Sequence, residues 1–166
     1  ALIVLKYRMP HANPDVPISD AKEALRVVRE NAQKWNIDPQ KVGIMGSSAG
    51  GHLASTVSTH SDTQTAPAFQ ILFYPVVTFD YKYTHQGSRH NLIGKNAAQE
   101  LVTLYSNEKQ ASNQTPPAIM LLSDDDTAVP SPNSVNYYLA LKQHGIKATM
   151  HIYPSGGHGW GIRKNF

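Results

Sequence analysis

An α/β fold, with a mostly parallel sheet covered by helices on both faces, is what the sequence predicts. Short apolar runs alternate with longer stretches whose apolar residues recur at helical spacing. The run at residues 1–5 (ALIVL) is apolar on both faces, which is typical of a strand with helices on each side. Repeated strand, helix, strand units of this length favour parallel pairing, because the connection between parallel strands needs room for a helix.

The elements can be predicted in order along the chain. Asp20 precedes Glu23 by three residues, which resembles a capping box at the start of a helix. Asn36 is expected to end that helix in the left-handed conformation, while Ser131 and Pro132 predict the N-cap and first turn of another. We expect strands at residues 1–7, 41–45, 69–74, 118–122 and 147–153, and helices at residues 19–35, 49–59, 97–105 and 131–145.

Composition narrows the class of protein. The 166 residues are 40% hydrophobic, which predicts one domain over residues 1–166. The absence of cysteine excludes disulfides, thiolate nucleophiles and cysteine-ligated zinc. The net charge of +3 is spread along the chain, so we expect no nucleic-acid partner. No apolar run approaches the ~20 residues that a membrane-spanning helix needs.

One segment interrupts the alternation of strands and helices. Residues 76–117 are rich in Asn, Gln, His and Tyr, and the segment is too long for an ordinary connection. It would leave the sheet at the ends of the strands, which is the edge where open α/β sheets bind ligands. We therefore expect a lid-like insertion over about 76–117.

The segment Gly46-Ser47-Ser48-Ala49-Gly50 fits the pattern GxSxG. It lies between a predicted strand and a predicted helix, which is the context of a nucleophile elbow. Such a turn forces the central serine into a strained conformation, so Gly46 and Gly50 are expected to let the neighbouring backbone pass without a Cβ in the way. Ser48 is therefore the candidate nucleophile.

A serine hydroxyl needs an adjacent base at neutral pH, and the base needs an orienting carboxylate. His158 lies in the glycine-rich loop that follows the last predicted strand, where the glycines allow the chain to bend back over Ser48. Asp126 follows the strand at residues 118–122, and its neighbour Asp125 is the alternative carboxylate. The three adjacent aspartates could also form a cation site or a solvated turn.

Several pieces of the chain together resemble the bacterial esterase and lipase branch of the α/β-hydrolases. The resemblance extends to proteins related to acetyl xylan esterase and to prolyl oligopeptidase, and it covers nearly the whole chain. The pieces are LKYRMP (5–10), GSSAGGHLA (46–54), HQGSRHNLIG (85–94), DDDTAVPSPNS (124–134) and HIYPSGGHGWG (151–161).

This resemblance implies an α/β-hydrolase fold and a role for each candidate residue. The order Ser48, Asp126, His158 is the triad order of that superfamily. Asp126 is preferred over Asp125 because it matches the family's DxxVP piece, and the backbone N–H of Ala49 matches an oxyanion-hole donor. In the family, a further strand and an HGGG-like loop with a second donor precede the part that this sequence matches. We therefore expect an N-terminally truncated fold and a weak enzyme in this chain alone.

Other candidate residues have both functional and structural interpretations. Tyr74 and Trp160, like the pair Tyr81 and Tyr83, could line a sugar or acyl site, or could simply pack near its mouth. His52, four residues after Ser48, is expected to be an interior residue rather than a catalytic one. The histidines lack the HExxH spacing, so we expect no metal, and no organic cofactor is implied.

The expected function is that of a serine carboxylic-ester hydrolase that acts through an acyl-enzyme, with acetylated sugars or xylan oligosaccharides as substrates. A serine peptidase of the prolyl-oligopeptidase type is the first alternative, and a catalytically inert fragment is the second. The expected partner is a small-molecule or oligosaccharide ester. A homodimer and a periplasmic or secreted location are further expectations.

Overall fold

The structure, a computed structural model, describes residues 1–161. The predicted domain runs to residue 166, so its part at 162–166 lies outside the described residues. The helices are α1 (Asp15–Glu30), α2 (Ala32–Trp35), α3 (Ala49–His60), α4 (Gln86–Ile93), α5 (Gln99–Leu104) and α6 (Pro132–Gln143). The strands are β1 (Ile44–Ser47), β2 (Gln70–Phe73), β3 (Ala118–Ser123) and β4 (Ala148–Tyr153), and short 3₁₀ turns occupy Pro39–Lys41 and Asn107–Lys109.

The four strands form one parallel sheet in the order β1-β2-β3-β4, as the alternation of elements predicts. Gly46, Leu72, Met120 and Met150 stand side by side across it. Because all strands run in the same direction, their carboxyl ends meet at one edge. The loops after β1, β3 and β4 therefore converge there, and these loops carry Ser48, Asp126 and His158.

The core lies mainly between one face of the sheet and two helices. Leu72 and Met120 are fully buried on that face, where they pack in one cluster with Ala54 of α3 and with Tyr137 and Leu141 of α6. Helix α1 packs in turn against α3. Strand residues that point to the other face, such as Met45 at 52% exposed, are less covered.

Within residues 1–161, none of the helices has the length and apolar character needed to span a membrane.

The prediction of a strand over residues 1–7 is wrong. This segment has no regular structure and is exposed, with Val4 at 87% of its maximal surface. A strand needs a hydrogen-bonding neighbour, and among the described residues none pairs with this segment or with the outer edge of β1. The segment is held instead by Arg8, whose backbone N–H and guanidinium both donate to the carboxylate of Asp20.

The first helix starts earlier than predicted. Helix α1 begins at Asp15 rather than near residue 19, because Pro17 falls in the first turn, where its missing N–H would have had no partner in the helix. Asp20 is thus inside the helix, and the predicted capping box is absent. Asn31 then interrupts the helix before α2, and Asn36 ends α2 at φ 52° and ψ 50°, which confirms the left-handed terminator.

The predicted insertion at 76–117 contributes to the core. It contains α5 near the predicted place and also α4, which the sequence analysis did not predict. Its residues Val76, Phe79 and Ile93 form a buried cluster with Val129, three residues after Asp126. The side chain of Asn133, at the start of α6, accepts the N–H groups of residues 77 and 78. A lid function for this segment stays a prediction.

A buried polar network joins α3 to this insertion. His52 is 3% exposed, stacks on the ring of Phe79 with centroids 4.3 Å apart, and donates from Nε2 to the carbonyl of Tyr105 at 2.8 Å. Asn107 donates to the hydroxyls of Ser55 and Thr56 on α3. These contacts confirm that His52 is an interior residue. Burial lowers the pKa of His52 to about 4, because the charged imidazolium would lose its hydration.

We expect this histidine to make stability dependent on pH. Its pKa is lower in the folded chain than its ordinary 6.5, so between these values the unfolded state takes up a proton that the folded state does not. The free energy of unfolding should therefore fall as pH drops from 6.5 to 4, by up to about 3 kcal/mol from this group. Urea unfolding of the wild type and of His52→Gln across this range measures it, because Gln keeps an N–H donor but does not titrate. Identical pH dependence in both proteins would contradict the assignment.

Candidate active site

The turn at Ser48 places its hydroxyl at the carboxyl edge of the sheet. Ser48 has φ 53° and ψ −122°, a strained conformation for a residue with a Cβ. The turn is held by β2 and the residues after it: the N–H of Ser48 donates to the carbonyl of Phe73 at 3.0 Å, and its own carbonyl accepts the N–H of Val76 at 3.1 Å. A strand, a strained serine and a helix in direct succession form the predicted nucleophile elbow.

The sequence predicts that Gly46 and Gly50 allow close approaches at this turn, but in the structure Gly46 and Gly51 do so. A Cβ on Gly46 would lie 2.1 Å from the carbonyl oxygen of Gly50, so the need for glycine at 46 is confirmed. A Cβ on Gly50 would meet only the hydroxyl of Tyr7, at 3.8 Å, so the prediction for position 50 is wrong. The second close approach belongs to Gly51, where a Cβ would lie 2.7 Å from the Cβ of Pro75. The motif alone could not show this, because Pro75 approaches from β2.

Asp126 is buried, and both oxygens of its carboxylate are hydrogen-bonded. Its Oδ1 accepts the N–H groups of Ala128 and Val129, both at 2.9 Å, and its Oδ2 lies 2.6 Å from Nδ1 of His158. Its side chain is 0% exposed. A buried carboxylate is tolerated only when it is hydrogen-bonded in this way.

His158 links the other two residues. Its Nε2 lies 2.8 Å from Oγ of Ser48, and its side chain is 25% exposed. An ionised carboxylate can only accept, so the proton of the neutral ring lies on Nδ1 and points to Asp126. Nε2 is then free to accept the hydroxyl proton of Ser48. The structure thus brings together the three residues that the sequence singled out.

Ala49 is the first residue of α3 and is exposed beside Ser48. The first N–H groups of a helix have no acceptor inside the helix and carry its positive dipole end. The backbone N–H of Ala49 therefore suits an oxyanion, as predicted from the resemblance. A cavity of about 210 Å³ adjoins Ala49, and its lining includes Leu53, Phe79 and Leu92. Its largely apolar wall suits part of a small ester.

Tyr74 and Trp160, the predicted substrate-contacting aromatics, lie next to His158 but are packed. Each is 6% exposed, and the ring centroid of Tyr74 is 5.0 Å from that of Trp160 and 4.9 Å from that of His158. The hydroxyl of Tyr74 accepts the N–H of Gly161 at 3.1 Å. Contact of either side chain with a substrate stays a prediction.

Among residues 1–161, no group of three or more His, Asp or Glu side chains is arranged to hold a metal ion.

The alternative carboxylate, Asp125, does not reach the imidazole. It accepts the backbone N–H groups of Gly156 and Gly157, in the loop that carries His158. In the sequence, Asp125 stands only as the alternative to Asp126, and this contact is not evident. Nothing in the spacing of the residues could have revealed it, because the two loops follow different strands.

Comparison with known proteins identifies the family of this chain. The sequence model of a family described as "alpha/beta hydrolase fold" matches residues 1–162. The chain belongs to the α/β-hydrolase family. The predicted α/β-hydrolase fold and the resemblance to this family are thereby confirmed.

Two curated proteins that are similar to this α/β-hydrolase chain have names that refer to xylan or its acetyl esters. It is 42% identical over 166 residues to an acetylxylan esterase of Xylanibacter ruminicola, covering 98% of this chain and 35% of that protein. It is 36% identical over 154 residues to endo-1,4-beta-xylanase B of Butyrivibrio fibrisolvens, covering 86% of this chain and 24% of that protein. The chain thus spans about a third or less of the length of these relatives.

A solved structure matches the α/β-hydrolase fold over almost the whole chain. The crystal structure of an acetyl ester-xyloside bifunctional hydrolase from Caldicellulosiruptor lactoaceticus superposes with a TM-score of 0.90 at 39% identity. The match covers 97% of this chain and 63% of that one. This similarity of the two backbones supports the order of strands and loops in the part of the chain that carries Ser48, Asp126 and His158.

The contrast between Gly46 and Gly50 gives a direct test of the elbow. Gly46→Ala should lower the free energy of unfolding by about 1–3 kcal/mol or more, because the clash is with backbone that cannot move aside. Gly50→Ala, the matched control, should be neutral or slightly stabilising, since Ala is the better helix former. Urea unfolding of both variants measures the difference. Equal destabilisation would mean that the turn does not have this geometry.

Proposed function

We propose that this chain carries the catalytic centre of a serine carboxylic-ester hydrolase that removes acetyl groups from xylan-type oligosaccharides. The observation that carries the proposal is the hydrogen-bond relay from Ser48 Oγ through the His158 imidazole to Asp126, with distances of 2.8 and 2.6 Å. Such a relay makes a serine hydroxyl nucleophilic at neutral pH. The names of the acetylxylan esterase and of the acetyl ester-xyloside hydrolase support the substrate class.

The first half of the proposed reaction forms an acyl-enzyme. Ser48 Oγ attacks the ester carbonyl carbon while its proton passes to Nε2 of His158. Asp126 stays ionised and stabilises the imidazolium through Nδ1–H, and the N–H of Ala49 donates to the oxyanion. His158 then returns the proton to the leaving alcohol oxygen as the carbon–oxygen bond breaks, which leaves the acetyl group on Ser48.

The second half releases the acid. A water molecule gives a proton to Nε2 of His158 as its oxygen attacks the acetyl carbon. The tetrahedral intermediate collapses, the proton returns to Ser48 Oγ, and acetic acid leaves and ionises to acetate in water. The quarter-exposed imidazole suits this step, because water can reach it from the open side of the loop.

Replacing Ser48 tests the proposed catalytic centre. Ser48→Ala should lower kcat at least about a thousandfold, since the triad acts as a unit. An organophosphonate should label Ser48 of the wild type, as located by mass spectrometry. Ser47→Ala is the matched control, because it changes the neighbouring, exposed serine, and it should keep both the activity and the label. A label on Ser47 or Ser55 would overturn the assignment.

The substrate class needs a separate measurement. We expect the purified protein to release acetate from acetylated xylo-oligosaccharides faster than it hydrolyses esters of longer acyl chains, and to leave prolyl amide substrates intact. The Ser48→Ala variant supplies the uncatalysed background for each substrate. Hydrolysis of the amides at a rate comparable with that of the acetyl esters would favour a peptidase. Release of only the longer acyl groups would replace the acetyl assignment with another ester class.

A further inference from the structure

The loop that presents His158 is built largely from glycines with unusual backbone angles. Gly156, Gly157, Gly159 and Gly161 have φ values of 142°, 62°, 76° and 52°. Glycine adopts such angles without steric cost, but it also loses the most conformational freedom on folding. A loop of this composition does not hold one shape by its own backbone preferences. The position of the imidazole therefore depends on contacts that hold the loop from outside.

The structure shows such contacts on both sides of His158. Before it, the two oxygens of Asp125 accept consecutive backbone amides, from Gly157 at 2.8 Å and from Gly156 at 3.3 Å. After it, the hydroxyl of Tyr74 accepts the N–H of Gly161 at 3.1 Å. The ring of Tyr74 also packs against the ring of His158 in a T-shaped arrangement.

The two adjacent carboxylates therefore contact different parts of the same loop. Asp126 binds the imidazole itself, while Asp125 binds the backbone one and two residues before it. A single bond from Asp126 Oδ2 to Nδ1 leaves the ring free to pivot about that bond. Fixing the backbone at 156 and 157 removes this freedom and sets the distance from Nε2 to Ser48.

We propose that Asp125 is a positioning residue for the proposed hydrolase reaction, holding the loop of His158 so that the imidazole reaches Ser48 and Asp126 at once. This inference rests on the proposed function for its kinetic consequence, but not for its structural one. Asp125 is exposed, so its two bonds contribute little to global stability. Its effect is on geometry, and small displacements of a base from its nucleophile have large effects on rate.

The test compares Asp125→Ala with Asp124→Ala in the purified protein. Asp124 is also exposed and carries the same charge, and its backbone N–H donates to Tyr153, a bond that alanine keeps. Asp125→Ala should lower kcat about tenfold with KM unchanged within about twofold, because positioning affects the transition state more than binding. Asp124→Ala should keep the wild-type kcat. Asp125→Asn, which retains the size and one acceptor oxygen, should fall between the two and serves if Asp125→Ala does not fold.

A spectroscopic readout tests the structural part without any substrate. The Nδ1–H proton of His158, bonded to Asp126, should give a strongly downfield proton NMR signal, identified by its absence in His158→Ala. That signal should weaken or vanish in Asp125→Ala, through faster exchange with water, and persist in Asp124→Ala.

The outcomes separate this inference from the proposed function. A wild-type kcat with an unchanged signal in Asp125→Ala overturns the inference, as does an equal loss in Asp124→Ala, which would indicate an effect of charge alone. A raised KM with unchanged kcat also overturns it, since Asp125 would then contact substrate. If the wild type hydrolyses no ester, the proposed function fails, while the NMR comparison still decides whether Asp125 holds the loop.

Discussion

The buried carboxylate of Asp126 is the group on which the arrangement of the site depends. Its side chain has no exposure to solvent, and among residues 1–161 its carboxylate is hydrogen-bonded to the amides of Ala128 and Val129 and to the imidazole of His158. The two amides belong to the turn that leaves β3, which ties the carboxylate to the sheet. Both amides bind Oδ1, and the imidazole of His158 lies against the other oxygen, Oδ2. The hydrogen bonds of one side chain thus help to orient another from a distant part of the chain.

Ser48 and His158 are positioned by opposite uses of glycine. At the elbow, Gly46 and Gly51 are needed because backbone and Pro75 approach where a Cβ would stand. In the loop of His158, the glycines are needed for their positive φ values, and Gly157 and Gly159 have open space around them. Close packing holds the first segment in place, whereas hydrogen bonds to other segments hold the second.

The segment at 76–117 joins the site to the core. Its buried residues pack against Val129, just beyond Asp126, and its contacts with His52 reach the helix that begins at the nucleophile. Both the turn of the carboxylate and the helix of Ser48 therefore have this segment as a neighbour. A disturbance of its packing would be transmitted to two of the three residues of the relay. The segment is for this physical reason part of the framework that holds the candidate site.

The sequence by itself determined what depends on local chemistry: the parallel α/β architecture, the elbow at Ser48, the end of α2 at Asn36, and the candidate residues Asp126 and His158. The architecture follows from the alternation of elements, the elbow and the helix end from short local patterns, and the choice of Asp126 over Asp125 from the resemblance to the family. Tertiary structure decided the rest, because the deciding partner lies elsewhere in the chain. Residues 1–7 are apolar enough for a strand but have no neighbour among the described strands, and Gly51 rather than Gly50 is constrained because Pro75 approaches from β2. Asp125 meets the loop of His158 only because β3 and β4 are adjacent and parallel, so that their following loops share one edge of the sheet.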